Sequence, residues 1–329
     1  MHGQDIIVRY LQDAQAAERN FEDALSTFSG TGAQEDVKSL MGMMSQKART
    51  QHERLAHRIQ ALGGDTSTAK SALAHMLAFP PTLAQMGHTA EEKNTQHLMI
   101  VIAAAAAEMA MYESLASAAQ AAGDRVTEQL ARELQSEERE DYELAWDSLR
   151  QSAVRAFESV KDQERAIKAY LEDAIAAEKN FETQLRGMAK EGDNEQVHRM
   201  FTQHADETRT QYEMLTSRLE RMGGSPSTLK SFLAHLFGLS PKTAQMGHDE
   251  ADRVTQNLMM AYSVEQSEVA MYESLATVAQ QAGDDQTVAL AREIQAQEKA
   301  TGDLVWSVIA PNARMAFEKL AQGEPVVRS

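Results

Sequence analysis

The chain has 329 residues, a formal net charge of −17 and no cysteine; 43% of its residues are hydrophobic and 5% aromatic. The absence of cysteine excludes disulfides, thiolate zinc sites, iron–sulfur clusters and cysteine nucleophiles, and an acidic balance without a basic tail argues against nucleic acid as a partner. No stretch reaches the roughly 18 uninterrupted apolar residues of a membrane span, and the N-terminal MHGQDIIVRYLQDAQ lacks a signal-peptide pattern. The expectation is a cytoplasmic protein with no membrane partner.

The sequence is written twice. YLQDAQAAERNFE, from Tyr10 to Glu22, returns as YLEDAIAAEKNFE from Tyr170 to Glu182; MYESLA stands at Met111 and Met271, and AQMGH at Ala84 and Ala244. A period this long marks tandem domains rather than a solenoid, here 1–160 and 161–329. Abundant Ala, Glu, Gln, Leu and Met predict an all-α protein.

In chain order, Gly30 to Gly32 end the first helix and Gly63-Gly64 the second. Pro80-Pro81 follow a short piece that Ser67 can cap, and Gly123-Asp124 part a third long helix from a fourth. The second half repeats these breaks at Gly192, Gly223-Gly224, Ser227, Pro241 and Gly283-Asp284. Each half thus reads as a ferritin-like four-helix bundle, with a short crossover helix between helices two and three and a short C-terminal helix past Trp146 or Trp306. Gln151 to Arg165 contains neither Gly nor Pro, which predicts a helical linker and closely held bundles. The duplication also predicts a pseudo-dimer within the chain, packed about a pseudo-two-fold axis, with further homo-oligomerisation left open.

The chemistry lies in inward carboxylates. Glu178 falls on the apolar stripe Leu171, Ala174, Phe181, Leu185 of the first helix in the second half; Glu265, Glu268 and Tyr272 share a face of the third; Glu298 and Thr301 lie on the core face of the fourth. On the second helix His204, Glu207 or Thr208, Gln211, Leu215 and Arg218 form a stripe. Converging buried carboxylates repel unless a cation sits among them, and oxygen ligands with one imidazole suit iron or manganese.

The first half keeps Glu18, Glu108 and Glu138 but has Met44, Lys47, Ala48 and Ala105 for His204, Glu207, Thr208 and Glu265. This predicts a degenerate site in which the Lys47 ammonium takes the metal's place among the three glutamates, with Asp141, in the slot of Thr301, as one further carboxylate. His75, His88, His235 and His248 occur in both halves and read as structural.

These elements resemble the bacterial YciE/YciF-type stress-response family, ferritin-like proteins, over all four long helices of each half. The second half carries the likeness best, in YLEDAIAAEK around Glu178, HADET from His204 to Thr208, EQSEVAMYESL from Glu265 to Leu275 and QAQEK around Glu298. The resemblance implies a dinuclear iron or manganese carboxylate site held by Glu178, His204, Glu207, Glu265, Glu268 and Glu298, and a role in stress responses. The function expected is reaction with oxygen or peroxide in stress defence, an oxidase or peroxidase chemistry in which Glu207 and Glu268 bridge the metals; Tyr272 reads either as a structural core ring or as a donor of a proton or electron to the site. The alternative is a structural or stress-associated interaction protein whose metal, if any, only stabilises it.

Overall fold

Alternation of short polar breaks with long stretches of good helix formers leaves the backbone one economical solution, and every regular element among the described residues is an α-helix. The computed structural model describes residues 3–66, 89–225 and 250–323. The first half contributes α1 (Gly3–Ser29), α2 (Glu35–Ala61), α3 (Ala90–Ala122) and α4 (Arg125–Ser159); the second contributes α5 (Gln163–Met188), α6 (Glu195–Arg221), α7 (Glu250–Gln281) and α8 (Asp285–Gln322). The segments expected to form crossover helices, with Ser67, Ser227, His75, His88, His235 and His248, lie outside the described residues.

The helix ends follow local chemistry. Gly123 adopts φ +72°, a left-handed C-cap open to glycine without penalty. The next residue, Asp124, accepts from the Thr127 amide and starts α4; Asp284 does the same with Thr287 for α8. Thr89 opens α3 through a capping box with Glu92. The fourth helix then runs 35 residues in the first half and 38 in the second. The separate C-terminal helix expected past Trp146 and Trp306 is its continuation, since nothing after Trp146 breaks a helix and Pro311 is absorbed within α8. The linker is helical except at Val160 to Asp162, where Asp162 turns the chain and caps α5.

In each half the first helix packs on the second and the third on the fourth; α1 against α3, and α5 against α7, close the bundle. The first and second pairs are also clamped end to end. Arg58 grips both oxygens of Asp124 at 2.7 Å, and Arg218 grips both of Asp284 at 2.6 Å while donating to Thr287 at 2.8 Å. Because each aspartate is also an N-cap, removing the guanidinium frees a half-buried charge and loosens the helix start. Arg218→Ala is expected to lower stability by about 2–3 kcal/mol in chemical denaturation, with Arg58→Ala showing a similar loss.

The halves share a core. Helix α3 is long and apolar enough to cross a membrane, yet its apolar window is 94% buried inside the protein, because α7 and α8 cover the side that α1 and α4 leave. Contacts between the halves repeat when the halves are exchanged: α3 meets α8 and α4 meets α7, Ser114 approaches Met259 at 3.4 Å and Ser274 approaches Met99 at 3.9 Å. Ser263 donates to the carbonyl of Ala103, its own counterpart, at 2.8 Å.

Candidate metal centre

Four helices of the second half point charge at one place. Glu178 from α5, His204 from α6, Glu265 and Glu268 from α7 and Glu298 from α8 are each at most 2% exposed. His204 lies with Nδ1 3.2 Å from Glu265 Oε1 and Nε2 3.7 Å from Glu298 Oε2, and the ring stands edge-on to Phe181 at 5.3 Å. These approaches are not hydrogen bonds: both ring nitrogens lack a hydrogen-bonding partner, as do both oxygens of Glu265, both of Glu268 and Oε2 of Glu178. One ligand atom from each of His204, Glu265 and Glu298 falls within 4.8 Å of the others, a spacing that could hold a metal ion.

Neutral donors steady the periphery. The Tyr272 hydroxyl donates to Glu178, and the Gln211 amide to Glu298 and, at 3.1 Å, to Gln297. Burial first, then neighbouring carboxylates, push Glu178, Glu265 and Glu268 well above the ordinary carboxylate range. The same causes raise the Tyr272 hydroxyl, which stays a proton donor to Glu178.

Glu207 is not in the group. It is exposed on α6, where Gln203 donates to it at 2.9 Å. Thr208 occupies the inward position instead, 1% exposed with its hydroxyl unpartnered. Positions three and four after His204 straddle the buried stripe, and packing against α5 and α8 selects the smaller, neutral threonine. Thr301 is half-buried beside His204 at the edge of a surface cavity.

The first half holds a smaller version. Glu18, Glu108 and Glu138 are fully buried and bring one oxygen each within 4.8 Å of the others, a second group that could hold a metal. Tyr112 donates to Glu18 and Gln51 to Glu138 at 2.6 Å, while both oxygens of Glu108 lack a hydrogen-bonding partner. Burial pushes Glu18 and Glu108 well up and Glu138 to about 7. Met44, Ala48 and Ala105, all buried, fill the positions of His204, Thr208 and Glu265.

The expectation that Lys47 sits among these glutamates is corrected. Its ammonium lies outside them, donating to the Glu137 carbonyl at 2.7 Å and to Asp141 at 2.9 Å, with Glu140 at 3.5 Å. Like Glu207 it starts from the outer face of its helix, and its long stem reaches the neighbouring helix rather than the core. Asp141 is thereby committed to an ion pair. Sequence reasoning gave no role to Gln51 and Gln211; their identity in both halves on a buried stripe was the signal that could have marked them as carboxylate holders.

Tandem all-helical bundles, each sealing a group of carboxylates inside its core, are the class that this fold and site define. The chain belongs to the family described as Domain of unknown function (DUF892), which matches residues 3–155 and 164–316 and so covers both halves. Among solved structures it is similar to a protein from Xanthomonas campestris pv. campestris, with 26% identity over 49% of this chain and 99% of that one at a TM-score of 0.42. It is also similar to YcfI from Rhodopseudomonas palustris, provisionally described as a structural protein, with 25% identity over 45% of this chain and 94% of that one at a TM-score of 0.41.

Proposed function

We propose that the second half binds a pair of iron or manganese ions and reacts with oxygen or peroxide in stress defence, as the resemblance to YciE/YciF-type proteins implies. One observation carries this reading: Glu265, Glu268 and His204 are buried with every side-chain oxygen and nitrogen lacking a hydrogen-bonding partner. Such groups cost several kcal/mol each when left alone, and a cation is what their arrangement favours. The donor set fits in kind, being oxygen with one imidazole, and in charge, because four carboxylates offset two divalent ions.

Glu178, His204, Glu265, Glu268 and Glu298 hold the ions in this reading. The metals supply the change of oxidation state; the chain supplies a dry, preorganised pocket. Tyr272 keeps Glu178 oriented, and because Tyr112 treats Glu18 in the same way in the half with fewer ligands, positioning is its role. The structural alternative draws on the raised carboxylates, which can persist as neutral acids in a metal-free bundle.

The separating experiment mixes anaerobically ferrous-loaded protein with oxygen or peroxide in a stopped-flow instrument. Oxidation of bound ferrous ion at least tenfold faster than that of the free ion, lost in Glu268→Ala, is expected. Bound ion that oxidises no faster than free ion would favour the structural reading.

A further inference from the structure

A cavity of about 340 Å³ lies between α6 and α8 of the second half, lined among others by Met200, Gln203, Glu207, Thr301 and Leu304, with His204 reaching it from within. At about 30 Å³ per water it has room for roughly ten waters, enough for a cation carrying its inner shell of six. At the inner side stands His204, 2% exposed, its ring nitrogens without hydrogen-bonding partners. On the solvent side stands the exposed carboxylate of Glu207. Arg199 also lines the cavity, 3.6 Å from Glu195.

The first half has the same place built differently. Lys47 and Asp141 occupy the positions of Glu207 and Thr301, and their 2.9 Å ion pair, reinforced by the bond from Lys47 to the Glu137 carbonyl, ties α2 to α4. Behind the pair stands buried Met44 in place of His204. An ion pair that bridges the two helices therefore stands where the second half has an exposed carboxylate and a hydroxyl, and the imidazole within is replaced by an apolar side chain.

We propose that the α6–α8 cavity is the port through which hydrated divalent cations reach the second-half carboxylates, with Glu207 attracting them at its mouth and His204 receiving them inside, and that the Lys47–Asp141 pair is the same port closed. The proposal rests on the metal-binding reading of the second half and gives Glu207 a role its exposed position permits. A surface carboxylate acts on the rate of cation capture, and an ion pair tying the two helices across the opening obstructs entry; neither alters the buried carboxylates.

The test follows uptake of manganous ion by metal-stripped full-length protein, using a metallochromic indicator in a stopped-flow instrument, with elemental analysis at the end point. Glu207→Lys/Thr301→Asp, which transplants the closed form, is expected to slow uptake at least tenfold while leaving the number of ions bound at equilibrium unchanged. Glu207→Gln, the conservative variant, should slow it a few-fold and weaken its dependence on salt. Uptake at the wild-type rate in both variants would overturn the port, and so would loss of bound ion at equilibrium in Glu207→Gln, which would make Glu207 a ligand. Absence of bound ion in the wild type would instead overturn the metal reading on which the port depends.

Discussion

Replacing His204 by Met and Glu265 by Ala is expected to lower by one the number of iron or manganese ions the chain holds and to raise the stability of the metal-free protein. The variant makes the second-half site match the first, where Met44 and Ala105 already pack in the corresponding places, so the fold should tolerate it. Five candidate ligands become three. Four carboxylates offset the charge of two divalent ions, whereas three fall one short and, without the imidazole, leave too few donors for a second ion. Without metal the buried Glu265 and His204 are a burden, and exchanging buried ionisable groups for apolar ones of fitting volume stabilises by about 1–4 kcal/mol. Elemental analysis after anaerobic loading and gel filtration checks the first effect, and thermal unfolding of stripped protein the second. An unchanged metal count would remove His204 and Glu265 from the ligand set; a less stable stripped protein would mean that they hold the bundle together by themselves.

The second large effect lies away from the carboxylates. His97 is fully buried, stacked 4.1 Å from Phe28, with both ring nitrogens lacking hydrogen-bonding partners. Burial, with a smaller contribution from Lys93, pushes its pKa from the ordinary 6.5 down to about 4. As pH falls below 6.5 the unfolded chain takes up this proton first and the folded chain follows only near pH 4. The stability contributed by the neutral ring is therefore complete above pH 6.5 and is lost on descending to pH 4, an amount of about 3 kcal/mol at 1.36 kcal/mol per pH unit. The second half carries Asn257 at this position, which suggests the control. His97→Asn is expected to lose about 3 kcal/mol less than the wild type between pH 7 and pH 4 in urea unfolding, the carboxylate groups cancelling in the comparison. Equal losses would show that the ring reaches a proton acceptor or water in solution.

The duplication made much of this legible. Breaks recurring at Gly123-Asp124 and Gly283-Asp284 marked the start of the fourth helices because the left-handed glycine and the capping aspartate are local devices, decided by neighbours in sequence. The inward direction of Glu178 and Glu298 followed from apolar residues four and seven positions away, and that of Glu265 and Glu268 from the face they share with Tyr272. Choosing between Glu207 and Thr208 was beyond periodicity, since both flank the stripe and only the neighbouring helices decide which one fits. Lys47 was misplaced for the same reason: sharing the register of Glu207, it was read as entering the core, and the reach of its side chain toward Asp141 depends on where α4 passes. The separate helix expected past Trp146 and Trp306 is the end of a continuous one, because no break follows Trp146 and Pro311 is accommodated within α8.

The hydrogen bond from Ser263 to the carbonyl of Ala103 joins a residue to its own duplicate. Were the halves separate identical chains, that position would bear the same side chain on both sides: two hydroxyls or two methyl groups, never one of each. A single covalent chain escapes this rule of sameness. Each half can drift separately while remaining lodged against the other, so one bundle can hold three buried carboxylates where its twin holds four and a histidine. Fusion thus turns symmetry from a constraint into a starting point for division of labour.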